Sequence, residues 1–181
     1  MKMPRLLFLS FCFIVLARLA PAAEMSPGLL GEYFDVGESN DDIPKLAANK
    51  KPVLTRVDKQ INFRSTGPTF PDTKLTNYFV IRWTGKIKIP KDGKYSFFLE
   101  SDDGSRLLID GKTVVDNGGL HDMQEQMGDV ELKAGDHEIR IDYFENENSG
   151  EAGCVLSWKA KELPRAVVPA SALSHEAKPE R

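Results

Sequence analysis

Leu99-Glu-Ser-Asp-Asp-Gly-Ser-Arg-Leu-Leu-Ile-Asp-Gly111 is the stretch on which the fold turns. Ser101-Asp-Asp-Gly104 breaks an apolar alternation. Asp110-Gly111 then separates Arg106–Ile109 from Lys112–Val115, and an Asp-Gly pair between strand-forming runs is the strongest short hairpin signal. Upstream, Phe79, Ile81, Trp83, Ile87 and Ile89 hold odd positions, with Arg82, Thr84, Lys86 and Lys88 between them. That period of two is a strand with one buried and one wet face. Pro90-Lys-Asp-Gly93 turns the chain, and Tyr95, Phe97 and Leu99 return along the buried face. Downstream, Val130, Leu132, the turn Lys133-Ala-Gly-Asp136, and Ile139, Ile141 and Tyr143 form a further hairpin, with His137 in phase as a half-buried framework residue. Cys154-Val-Leu-Ser-Trp158 is the last core strand.

Outside this ladder the signals are weaker. Leu29-Leu-Gly-Glu-Tyr-Phe34 opens the domain as a short strand, 35–49 is a polar loop, and short strands fall between Val53 and Phe63. Asp116 to Met127 reads as a long polar loop, and Glu145 to Gly150 as an acidic, Asn-rich one. Ala166 to Leu173 adds an edge segment, where Pro169 is tolerated, and 176–181 is expected to fray. No long amphipathic helix is present in the pattern. Short strands with turns every eight to twelve residues or so specify an all-β, antiparallel sandwich or barrel, with Trp83 and Trp158 in its core.

The 181 residues fit one domain, expected over 24–175. Residues 1–23 stand apart. Lys2 and Arg5 precede an apolar run from Leu6 to Leu16, broken only by Ser10, and Ala20-Pro-Ala-Ala23 supplies small residues for cleavage: the order of a secretory signal peptide. That run is too short to span a bilayer. Its removal takes away Lys2, Arg5 and Arg18 and leaves 21 basic against 27 acidic residues, a net charge of −6. An acidic surface argues against nucleic acid or anionic membrane as the partner. With Cys12 in the leader, Cys154 is left single and reads as a buried structural thiol.

In order along the chain, these residues resemble the PA14 domain, a module of adhesins, flocculins and glycosidases. The resemblance rests on Gly28-Leu-Leu-Gly-Glu-Tyr-Phe34, Val80-Ile-Arg-Trp-Thr-Gly85, Asp92-Gly-Lys-Tyr-Ser-Phe97 and Ser101-Asp-Asp-Gly-Ser-Arg-Leu107. It continues through Ile109-Asp-Gly111, Val115-Asp-Asn117, Leu120-His121, Leu132-Lys-Ala-Gly135, Tyr143-Phe-Glu145, Leu156-Ser-Trp158 and Val168-Pro-Ala-Ser-Ala-Leu173. It implies a β-sandwich that binds glycans, in which two consecutive aspartates joined by a cis peptide hold Ca2+ and a later loop adds an Asn and backbone carbonyls. Asp102 and Asp103 match the aspartate pair, and Asn146 or Asn148 matches the Asn.

The chemistry is coherent. Calcium takes six to eight oxygens at about 2.3–2.6 Å. Adjacent aspartates in a strand point to opposite faces, whereas a cis peptide turns both to one side. Without the resemblance, Ser-Asp-Asp-Gly reads first as a polar turn. Asp116, Asn117 and Asp122 invite a second ion or simply form a loop, and His121 is expected to serve loop packing. No nucleophile, phosphate or zinc motif appears, so no enzyme is expected. The expected partner is a glycan, with an extracellular, periplasmic or cell-surface location; a surface-protein interaction domain is the alternative.

Overall fold

A computed structural model describes residues 24–64, 69–146 and 152–177. The leader 1–23 and Asn148 lie outside the described residues. The strands are β1 Met25–Pro27, β2 Leu29–Asp35, β3 Leu54–Asp58, β4 Asn62–Phe63, β5 Phe79–Ile89, β6 Gly93–Asp102 and β7 Ser105–Ile109. They continue as β8 Lys112–Asn117, β9 Gln124–Leu132, β10 Gly135–Glu145, β11 Gly153–Ala160, β12 Leu163–Val167 and β13 Leu173–Glu176, the last preceded by a 3-10 turn at Ala170–Ala172.

Two antiparallel sheets result. One runs β1-β13-β5-β10-β7-β8, with β2 joined to β5 and β3 to β2; the other runs β12-β11-β6-β9, with β4 on β11. The alternation decides what lies between them. Phe79, Ile81, Trp83 and Ile87 on β5 are fully buried, facing a core that also holds Phe97 and Leu99 of β6, Ile141 and Tyr143 of β10, and Leu156 and Trp158 of β11. Trp83 stacks between Phe63 and Tyr143, with ring centroids 5.8 and 6.2 Å away. Cys154 is buried in the same layer, and burial pushes its thiol up, away from reactivity.

One carboxylate sits inside this aromatic layer. Asp58 accepts hydrogen bonds from Tyr33 Oη at 2.5 Å, Trp83 Nε1 at 2.7 Å and Arg56 Nε at 2.8 Å. Burial first, then the Asp58 bond, push the Tyr33 phenol up, so it stays a donor. The hub ties β2 and β3 to β5.

The expected hairpin across Lys133–Asp136 does not form: β9 pairs with β6 in one sheet, while β10 lies between β5 and β7 in the other. The structure departs from the sequence pattern in three further places. The expected loop Asp116–Met127 is shorter: β9 begins at Gln124 and pairs with β6 from Ser101↔Gln124 to Gly93↔Leu132. Gln124 to Met127 are all exposed, so the first half of this edge strand, unlike its Val130–Leu132 end, carries no apolar alternation to announce it. At the C-terminal end Glu176, the first residue expected to fray, is instead paired with Met25, as is Ser174 with Pro27, while Leu173 joins Ile87 of β5; 178–181 lie outside the described residues. Third, Val80 stands at a nominally wet position yet is fully buried. It forms a second cluster with Phe34 and Phe144, covered by Val36, Ile43 and Leu46 of the β2–β3 connection. That connection therefore folds over the end of the sheet nearest Asp102. His137 is half-buried as its phase implies, with Nδ1 2.6 Å from Asp110 Oδ2 and Nε2 2.9 Å from the Lys133 carbonyl.

Candidate functional site

β6 belongs to one sheet and β7 to the other, so the chain crosses the sandwich between Asp102 and Ser105. The Asp102–Asp103 peptide is cis. Carboxylate oxygens of Asp102, Asp103 and Glu145 all lie within 4.8 Å of one another. All three residues are nearly buried, at 3%, 8% and 2% exposure. Among the described residues no other group of three His, Cys, Asp or Glu side chains converges in this way.

Each carboxylate is placed by a different element. Asp103 Oδ1 accepts the His121 backbone N–H and Oδ2 accepts that of Asn146, both at 3.0 Å. Tyr143 Oη donates to the Asp102 carbonyl at 2.6 Å and lies 3.0 Å from Glu145 Oε2. Gly104 serves close approach and not a left-handed turn. Its φ is not positive, but a Cβ there would stand 2.5 Å from Phe144 Cε1 and 2.7 Å from the Gly119 carbonyl.

Three desolvated carboxylates repel. Burial, then the charge of Asp103, push Glu145 up to about 8, and burial followed by the Glu145 charge pushes Tyr143 well above its ordinary range. A cation among them would oppose both shifts. The donor set is oxygen only, the chemistry of a hard cation. Each Asp103 oxygen has given one lone pair to an N–H and keeps another.

Of the expected ligands, the structure brings Asp102 and Asp103 together and sets Asn146 against them. The Asn146 side chain, however, accepts the Asn40 backbone N–H on Oδ1 at 2.6 Å, which leaves that oxygen one further lone pair. Glu145 was not among the expected ligands, although its signal was visible: it continues the inward phase of Ile139, Ile141 and Tyr143, and a carboxylate in a core phase at a strand end is unusual. Of the residues that invited a second ion, Asp116 and Asn117 are committed to other partners. Asp116 accepts from Arg106 at 3.0 Å, and Asn117 is buried with its amide committed to Ser101 and Gln124. The His121 ring lies against loop carbonyls, Nδ1 2.9 Å from that of Asp122 and Nε2 3.2 Å from that of Asn117.

The class of protein so defined is a two-sheet antiparallel β-sandwich in which the segments carrying Asn40, Asp103, His121 and Asn146 meet around buried carboxylates. The chain belongs to the PA14 domain family, whose sequence model matches residues 25–170. Anti-sigma-I factor RsgI3 of Acetivibrio thermocellus is 28% identical over 148 residues, 81% of this chain and 21% of that protein. A solved anti-sigma factor domain-containing protein from Clostridium clariflavum is 32% identical with a TM-score of 0.67, covering 86% of this chain and 49% of that one. This chain thus spans about a fifth of the first relative and half of the second. The PA14 sugar-binding domain of an RTX adhesin matches with a TM-score of 0.70 over 82% of this chain and 98% of its own, at 19% identity, a likeness of fold. Among the described residues no helix is long and apolar enough to cross a membrane.

Proposed function

We propose that this protein is an exported, non-catalytic module that binds glycans through calcium held by Asp102 and Asp103. Glu145 serves as a third carboxylate and Asn146 stands beside them, with Asn148 of the same loop as the other candidate amide. The observation that carries the reading is the convergence of three buried carboxylates within 4.8 Å where the chain crosses between sheets. Calcium bound there would offer open coordination positions to adjacent hydroxyls of a sugar. The residues hold the carboxylates facing one another: the amides of His121 and Asn146 fix Asp103, and Tyr143 fixes the Asp102 backbone. The shared fold with a sugar-binding PA14 domain supports the reading. The likeness to a segment of an anti-sigma-I factor favours a second one, in which the domain works by protein contacts within a larger assembly.

A glycan array run with calcium and with chelator separates the two. Calcium-dependent retention of at least one glycan, lost in Asp102→Asn/Asp103→Asn, is the expected result. Retention unaffected by chelator, or none with any glycan, would overturn the first reading.

A further inference from the structure

The carboxylate turn is held from one side by a buried polar residue that contributes no ligand. Asn117, 2% exposed at the end of β8, donates through Nδ2 to Ser101 Oγ at 3.0 Å and to the Gln124 carbonyl at 3.1 Å. Its Oδ1 accepts from Gln124 Nε2 at 3.2 Å, so both the donors and the acceptor of the amide are used. Ser101 and Ser105 are fully buried, with hydroxyls 2.6 Å apart, and bracket the Asp102–Gly104 turn on either side. The same residue acts through its backbone: the Asn117 carbonyl lies 3.2 Å from His121 Nε2, and the His121 N–H donates to Asp103 Oδ1. One residue therefore joins the last residues of β6, the first of β9 and the loop that clamps Asp103.

We infer that Asn117 is a positioning residue for the cation site, setting the carboxylate of Asp103 by holding the 117–122 loop so that the His121 amide is aimed at it. This rests on the calcium reading for its consequence, but the positioning itself exists without any ion. An apolar residue of the same size would leave the Ser101 hydroxyl and the Gln124 carbonyl without their donor, and the loop would lose its anchor at the strand end. A merely structural Asn117 would loosen the whole sandwich evenly. A positioning Asn117 loosens the Asp103 clamp first.

The test uses Asn117→Leu and, in case that variant fails to fold, His121→Ala, which removes the ring from a surface loop. Asp58→Asn, which weakens the β2–β3–β5 hub, controls for general loosening. Amide hydrogen exchange of the metal-free proteins is followed at positions 121 and 146, the two amides that hold Asp103, together with calcium titration calorimetry. Both loop variants should exchange the amide at position 121 at least tenfold faster, leave that at position 146 near wild type, and bind calcium at least tenfold more weakly. The control should change neither. Unchanged protection at position 121 in both loop variants, or equal acceleration at both positions, would overturn the inference. A wild type that binds no calcium would refute the function while the exchange result still decides the positioning.

Discussion

Replacing Asp58 by alanine removes the carboxylate shared by Tyr33, Trp83 and Arg56 and strips three donors of their acceptor at once. Tyr33 Oη and Trp83 Nε1 share Oδ2, and Arg56 Nε holds Oδ1. Asp58 is 6% exposed and the Arg56 side chain 20%, so water cannot take over from within the sheet. Removing one partner of such a pair costs about 3–5 kcal/mol. At about 2–4 °C per kcal/mol for a chain of this size, the melting temperature should fall by roughly 6–20 °C. Asp58→Asn should cost less, about 2–3 kcal/mol, because its carbonyl can still serve Tyr33 and Trp83 while its NH2 meets the Arg56 donor. Tyr33→Phe isolates a single bond at about 1 kcal/mol. Urea unfolding with an unchanged slope is the assay, since a changed slope would mean a different denatured state. A loss below about 1 kcal/mol for Asp58→Ala would show that the three hydrogen bonds merely offset the desolvation of the carboxylate, and the hub would not be a source of stability.

Three other outcomes follow from particular contacts. Gly104→Ala should destabilise the fold by about 1–3 kcal/mol, as overpacking does, because Phe144 and the Gly119 carbonyl must move; a neutral effect in thermal melts would show that the turn does not pack so closely against β10 and the Gly119 loop. His137 is raised from 6.5, first by its hydrogen bond to Asp110, so the fold favours the imidazolium. Its stabilisation is therefore complete below that value and lost as pH rises through the raised one; the stability difference between wild type and His137→Gln should shrink from pH 6 towards pH 8, and a difference that grows would reverse the assignment. Mass spectrometry of the native protein should find a new terminus near Ala23 or Glu24, and an intact Met1 would reject the export signal.

How much was legible in the sequence depends on whether a residue acts through its side-chain phase or through its backbone. β5, β6, β10 and β11 pack one face against the core, so alternation announced them, and both tryptophans fell where the phase put them. β9 and the β1–β13 ribbon are edges held by backbone pairing, with little apolar side chain to display. Val80 and Phe144 were hidden for another reason: a distant polar loop supplies Ile43 and Leu46 to cover them. At the site, Asp102, Asp103 and Asn146 are pointed to by the resemblance, and Glu145 is legible from the inward phase of β10 although it also opens the acidic, Asn-rich loop pattern. The Asn40 and His121 contacts were illegible because both are backbone amides reaching across the chain, over 106 and 18 residues.

Calcium held by Asp102, Asp103 and Glu145 would show in a thermal melt. Wild type in calcium at a hundredfold excess over its dissociation constant should gain about 2.7 kcal/mol over the chelated protein, a rise of roughly 5–11 °C. Asp102→Asn/Asp103→Asn should fold and show no calcium-dependent rise. Equal calcium-dependent rises in wild type and double variant, or none in wild type at millimolar calcium, would contradict it.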